Sequence, residues 1–175
     1  YILMNSSVTT IVDADALNII AEDKELKNLL ACRNPEGADF ILTPHIGEMA
    51  RLAGTSVASI QGRLIQTAVS FASRYKVICV LKDARTIVAD SKKTVYINTS
   101  GNSGMATGGS GDVLTGVIAG MSVSGLNAYE AACMGVFLHG LGGDYAASRR
   151  GEHGMKAGDI IDGITNLMAA AQNRK

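Results

Sequence analysis

Short apolar runs alternate with amphipathic stretches over roughly the first hundred residues, after which the pattern turns helical. Thr10-Ile11-Val12 is a β-branched run that ends in Asp13-Ala14-Asp15-Ala16-Leu17. It predicts a strand reaching a polar edge and turning into a helix capped by Asp15. Phe40-Ile41-Leu42 predicts a second strand, with Thr43 next as an N-cap and Pro44 as the first helical residue. Ile60, Leu64, Ala68 and Phe71 fall at helical spacing and predict a helix ending near Tyr75. Val77-Ile78-Cys79-Val80-Leu81 is continuously apolar, the pattern of a strand covered on both faces. Thr86-Ile87-Val88-Ala89 and Thr94-Val95-Tyr96-Ile97 flank a polar turn and predict a hairpin at one edge of the sheet.

From Asp112 onward the pattern is mostly helical. Asn127 and Glu130 fit the capping-box start of a helix rich in Ala128, Ala131, Ala132, Gly135 and Gly142. A last helix is predicted from Ala157 to Ala171. Strands that alternate with helices, followed by accumulating helices, predict a three-layer α/β fold with a largely parallel sheet, residues 1–175 forming a single domain. In such sheets ligands bind outside the carboxyl ends of the strands. Asp13, Thr43, Lys82 and the Gly108-Gly109-Ser110-Gly111 loop all fall at such ends.

Composition narrows the function classes. Hydrophobic residues make up 47% of the chain and mean hydropathy is +0.18, so a packed core is expected rather than disorder. Lys+Arg and Asp+Glu each total 16, so no bulk charge points to nucleic acid or a membrane surface. No apolar run is long enough to span a bilayer. Cys32, Cys79 and Cys133 lack metal-ligand spacing and are read as reduced core thiols of a cytoplasmic protein.

The richest chemical signal is Asn102-Ser103-Gly104-Met105-Ala106-Thr107-Gly108-Gly109-Ser110-Gly111-Asp112. Glycines allow close approach of a ligand to the backbone, and the following helix offers unpaired N–H groups to an anion. Asp112, at the mouth of that helix, is placed to align or deprotonate a hydroxyl attacking phosphorus; the plainer alternative is a glycine turn with an ordinary first-turn carboxylate. No lysine follows the glycines, which excludes a Walker A loop, and the late position with unsuitable spacing excludes a Rossmann fingerprint. Lys82-Asp83-Ala84-Arg85-Thr86 follows the apolar strand and offers cations for nucleotide phosphates, or else a solvated hairpin turn. His45 and Glu48 lie three residues apart, as a polar-substrate contact or as a capping turn with an exposed histidine. His139 reads as a hydrogen-bonded packing residue.

Asp13-Ala14-Asp15-Ala16-Leu17, Thr43-Pro44-His45-Ile46-Gly47-Glu48-Met49 and the segment from Gly101 to Asp112 resemble signatures of the ADP-dependent NAD(P)H-hydrate dehydratases, within the ribokinase-like superfamily. Val136-Phe137-Leu138-His139-Gly140-Leu141-Gly142-Gly143-Asp144 resembles a further segment of that family. The resemblance implies a ribokinase-like fold and dehydration of the S-epimer of NADH or NADPH hydrate, coupled to conversion of ADP to AMP and phosphate, with ATP as the donor in some relatives. It implies that His45 and Asp112 bind the hydrate, with Asp112 catalytic. Lys82, Asp83, Ala84, Arg85, Thr86 and Gly111 would bind the nucleotide. Mg²⁺ is expected with the nucleotide, with no residue assignable to it, and a homo-oligomer is expected. Family members carry a longer N-terminal part, so a fragment, or a partner supplying that part, is also expected. The resemblance leads to an expectation of glycine at position 83, where this chain carries Asp83. The alternatives to the dehydratase are a ribokinase-like kinase of the hydroxymethylpyrimidine or hydroxyethylthiazole type, and an inactive nucleotide-binding fragment.

Overall fold

Among the described residues five strands form one sheet whose spatial order follows the chain: β1 (Thr10–Val12), β2 (Phe40–Leu42), β3 (Ile78–Leu81), β4 (Ile87–Ala89) and β5 (Val95–Ile97). The computed structural model describes residues 1–32 and 37–173. β1, β2 and β3 pair in parallel, while β4 runs antiparallel to both β3 and β5. Four of the five strands therefore point the same way, and the carboxyl ends of β1, β2, β3 and β5 share one edge of the sheet. The predicted hairpin is β4–β5, and β5 is an outer strand.

The helices are α1 (Ile2–Asn5), α2 (Asp15–Glu22), α3 (Lys24–Cys32), α4 (Ile46–Ala53), α5 (Val57–Gln61), α6 (Leu64–Tyr75), α7 (Ser110–Ser122), α8 (Ala128–Arg150) and α9 (Ala157–Gln172). Alternation along the strands assigns them to layers. Cys79, Leu81, Ile87 and Ala89 pack with Leu17, Leu30, Met49, Ile60 and Phe71, on the face covered by α2 to α6. Ile78, Val80 and Val88 point the other way, against Leu114 and Ile118 of α7 and Ala132 and Val136 of α8. β3 is thus buried on both faces, as its unbroken apolar run predicted. α9 lies against α7 and α8 through Ile160 and Ile164, in a third cluster with Ala146 and Met155.

Several boundaries differ from the sequence reading, each for a local reason. Thr43 does not cap a helix and Pro44 does not begin one. The Thr43 amide donates to the Val12 carbonyl at 3.1 Å, extending the β1–β2 ladder, and the Pro44 carbonyl accepts from the Lys82 amide at 2.8 Å. A residue before proline also avoids the helical region. α4 therefore starts later, with His45 as its N-cap. The predicted helix through Ile60 and Leu64 is two helices, α5 and α6. Ser56 caps α5, accepting from the Ser59 amide, and the chain turns at Gly62 before α6 begins. Asp15 does not cap α2 either; it is the first helical residue, behind Ala14 at φ 50°. α7 begins at Ser110, two residues before Asp112, with Gly109 as N-cap at φ 87°, where a side chain would be strained. All three cysteines are free, but Cys32 is exposed and is not a core thiol.

Tight packing of α8 depends on its glycines. A Cβ on Gly142 would sit 2.8 Å from the Ile160 carbonyl oxygen, and one on Gly135 3.0 Å from the Ile118 Cα. One on Gly140 would come within 2.9 Å of the Ser100 carbonyl carbon. The small-residue pattern brings α7, α9 and the segment after β5 against one helix, and thereby sets where the glycine loop sits.

Candidate active site

The shared carboxyl edge gathers residues that lie far apart in sequence. Asp13 leaves β1, Thr43 leaves β2 and Lys82 leaves β3. The Lys82 Nζ donates to Asp13 Oδ1 at 2.8 Å, and the Thr115 hydroxyl of α7 donates to Asp13 Oδ2 at 2.8 Å. Burial alone would push the Asp13 carboxyl up. Hydrogen bonds from Lys82 and Thr115, the Lys82 charge and a hydrogen bond from Thr43 outweigh it and hold the group below its ordinary value. A Cβ built on Gly111 would lie 3.6 Å from the Lys82 Nζ, so this ammonium stands beside the first turn of α7. Lys82 and Gly111, predicted to share a nucleotide site, are thereby neighbours.

The rest of the Lys82–Thr86 turn is open. Asp83, Ala84 and Arg85 are exposed, and Arg85 Nη1 donates to the Thr99 carbonyl at 2.8 Å, tying the turn to the segment after β5. The Asn98 amide donates to the Thr86 carbonyl at 2.9 Å, reinforcing the same connection. Asp112 lies exposed in the first turn of α7, and among the described residues its side chain has no hydrogen-bond or ionic partner.

His45 is committed on one side. Its Nδ1 accepts from the amides of Gly47 and Glu48 at 3.0 and 3.3 Å, while Glu48 Oε2 accepts from the His45 amide at 2.8 Å. This reciprocal cap is the structural alternative raised by the sequence. The Nε2 side lies 3.4 Å from Glu48 Oε1, and the side chain is 54% exposed. His45 also forms a parallel bridge with Lys82, which places it at the same edge.

Two further residues shape the glycine loop. His139 of α8 is buried, with Nε2 3.0 Å from the Ser110 carbonyl oxygen. A carbonyl oxygen only accepts, so Nε2 carries the proton and donates. Burial pushes the imidazole down to about 4, the Lys82 charge adds to this, and the Ser110 hydrogen bond opposes it. Asp144, one helical turn and a residue further along α8, accepts from the Gly101 amide at 2.9 Å and from Asn102 Nδ2 at 3.0 Å. These bonds anchor the start of the loop to the helix that packs beneath it.

Sequence reasoning read His139 correctly as a hydrogen-bonded packing residue, but not what it holds. It missed Thr115 and the anchoring role of Asp144, and placed Asp13 at the carboxyl end of a strand without its partners. A hydroxyl four residues after a loop glycine is a weak signal; Asp144 lay within a segment already singled out. Among the described residues no group of three His, Cys, Asp or Glu could hold a metal ion. None of the helices described is long and apolar enough to cross a membrane.

A mostly unidirectional sheet between two helical layers, with its polar residues gathered at the carboxyl edge, defines a ribokinase-like protein. The NAD(P)H-hydrate dehydratase family profile matches residues 2–166. The chain is 47% identical, over 92% of its own length and 29% of the relative's, to a bifunctional NAD(P)H-hydrate repair enzyme of Moorella thermoacetica. It is 42% identical to an ADP-dependent (S)-NAD(P)H-hydrate dehydratase of Neisseria meningitidis, over 86% of this chain and 50% of that one. Its fold superposes with TM-score 0.82 on the ADP/ATP-dependent NAD(P)H-hydrate dehydratase of Bacillus subtilis, co-crystallized with ATP/Mg²⁺ and soaked with CoA. That likeness carries 28% identity and covers 95% of this chain and 58% of that one. The chain belongs to the NAD(P)H-hydrate dehydratase family. It spans half or less of the length of these two sequence relatives.

Proposed function

We propose that this chain contributes the nucleotide and phosphoryl-transfer part of an ADP-dependent (S)-NAD(P)H-hydrate dehydratase. The observation that carries the reading is the meeting of Lys82 with Gly111 at the start of α7. A fixed ammonium facing a helix N-terminus suits an oligophosphate, whose negative charge both groups favour. Lys82 through Thr86 and Gly111 hold the nucleotide in this reading, while His45 and Asp112 face the hydrate.

The chemistry follows from a poor leaving group. The hydroxyl of the hydrated nicotinamide attacks the terminal phosphorus of ADP, its proton passing to Asp112 and AMP departing. The C–O bond then breaks, phosphate carries the oxygen away, and loss of a proton from the adjacent ring carbon restores the dihydropyridine. One hydrate and one ADP give one NADH or NADPH, one AMP and one phosphate. The amides at the start of α7 meet the charge on the transferring group.

The donor set fits a Mg²⁺ carried on the nucleotide rather than one caged by protein. Both oxygens of Asp13 are engaged, and no three-carboxylate group exists among the described residues. When bound, the ion neutralises phosphate charge. ADP rather than ATP as donor, a homo-oligomeric state and a cytoplasmic location belong to the same proposal. The absence of bulk charge speaks against a nucleic-acid partner.

Incubation with (S)-hydrated NADH, ADP and Mg²⁺ tests it. The expected result is recovery of reduced-nicotinamide absorbance with equal amounts of AMP and phosphate. A phosphorylated product that accumulates without reduced nicotinamide would instead assign a small-molecule kinase. ADP binding without turnover, persisting when the longer N-terminal part of the relatives is joined on, would assign an inactive nucleotide-binding module. Asp112→Ala is expected to lose most of the rate and keep nucleotide binding; unchanged turnover removes Asp112 from its role.

A further inference from the structure

Asp13 joins the two sides of the edge that the proposed reaction needs in register. Its Oδ1 accepts from Lys82, at the end of β3, and its Oδ2 from Thr115, one turn into α7. Thr115 lies four residues after Gly111 and three after Asp112, on the same side of the helix. One carboxylate thus fixes a strand-end cation relative to the helix turn that carries both the loop glycine and the free carboxylate. The Asp13 and Lys82 side chains are 13% and 20% exposed, so solvent screens this pair only in part.

We infer that Asp13 is a positioning residue: it aims the Lys82 ammonium at the phosphoryl group in transfer and holds the first turn of α7 at a fixed distance from it. This rests on the nucleotide reading above. A lysine head is a compact charge on a flexible four-carbon stem, which untethered would follow whichever phosphate oxygen attracts it most. Stabilising a transition state requires the charge to be in place beforehand. Asp13 itself offers an anionic ligand nothing, since a carboxylate near phosphate weakens ground-state attraction. Its contribution therefore appears in turnover and not in nucleotide affinity.

The test compares Asp13→Asn, Thr115→Val, Lys82→Met and the Asp13→Asn/Lys82→Met double variant. Asn keeps the shape of Asp13 and removes its charge. ADP titration by calorimetry and hydrate turnover with ADP are measured on each, with thermal unfolding to confirm the fold. ¹³C relaxation of the Lys82 ε-methylene is recorded without nucleotide. Expected for Asp13→Asn is a turnover loss of about 10- to 100-fold, with ADP affinity unchanged or tighter and a Lys82 head more mobile than in the original chain. Thr115→Val gives a smaller turnover loss, and the double variant loses no more than Lys82→Met alone. Equal Lys82 mobility in Asp13→Asn overturns the inference, as do unchanged turnover or a further loss in the double variant. If the unsubstituted chain neither binds ADP nor turns over hydrate, the proposed function fails. The relaxation data then still decide whether Asp13 holds Lys82.

Discussion

His139→Gln isolates the proton linkage of the buried imidazole. In the folded chain burial and the Lys82 charge hold His139 at about 4, against 6.5 for a free histidine. The sign follows from which state binds the proton. As pH falls through 6.5 the unfolded chain takes up a proton that the folded chain refuses, so unfolding becomes more favourable. The contribution is complete above pH 6.5, is lost progressively down to about 4, and changes no further below that. The gap corresponds to about 3 kcal/mol across the window, a large part of a small domain's stability. Glutamine can still donate to the Ser110 carbonyl but binds no proton in this range. Urea unfolding at closely spaced pH values between 7 and 4 provides the assay, read as the difference between the two proteins. Their stability curves should diverge as pH falls, the original chain losing more. Parallel curves would show that the imidazole titrates alike in both states, and would refute the argument that its burial beside Lys82 sets its protonation.

Other expectations test separate parts of the fold. Gly142→Ala places a methyl group against the Ile160 carbonyl, between α8 and α9, and should cost about 1–3 kcal/mol in urea unfolding. Asn127→Ala removes the α8 cap, in which Asn127 Oδ1 accepts from the Glu130 amide at 3.0 Å, and should cost about 1 kcal/mol in the same assay. Asp144→Ala releases the Gly101 amide and the Asn102 side chain, so hydrogen exchange at 101–105 should quicken while the α8 core amides stay protected.

How much of this was legible in the sequence depends on the range of the forces involved. Strand placement was legible because the apolar runs are short and bounded, and because β3 must be covered on both faces. Hairpin and capping-box signals at Asn127 and Glu130 are local and also read correctly. Helix starts near the sheet edge did not: Thr43 and Pro44 carry cap-like chemistry, but bonds to Val12 and Lys82 from distant strands keep them extended. The Gly62 break was missed because apolar spacing continues across it from Ile60 to Leu64. At the edge, Lys82 and Gly111 were read as site residues, and the fold puts the Lys82 Nζ 3.6 Å from where a Cβ on Gly111 would lie. The Asp13–Thr115 bond spans 102 positions and no local pattern announces it.

Gly111 separates what folding requires from what a ligand requires. A glycine demanded by the fold shows either positive φ, as Gly109 does at 87°, or an immovable neighbour, as Gly142 does. Gly111 shows neither: it is helical, and a Cβ there would make only ordinary contact, 3.6 Å from the Lys82 Nζ. Alanine at that position should therefore leave stability unchanged or raise it, by up to about 1 kcal/mol, since glycine is the poorer helix former. Its methyl group would nevertheless occupy the space between the α7 backbone and the Lys82 ammonium, where the proposed phosphate binds. Gly111→Ala should thus unfold at the same urea concentration or a higher one, while ADP affinity measured by calorimetry falls at least about tenfold, the equivalent of about 1.4 kcal/mol. Loss of stability with affinity intact would assign this glycine to packing. Loss of neither would remove the start of α7 from the nucleotide site, because no anion could approach those amides closely without meeting the added methyl group.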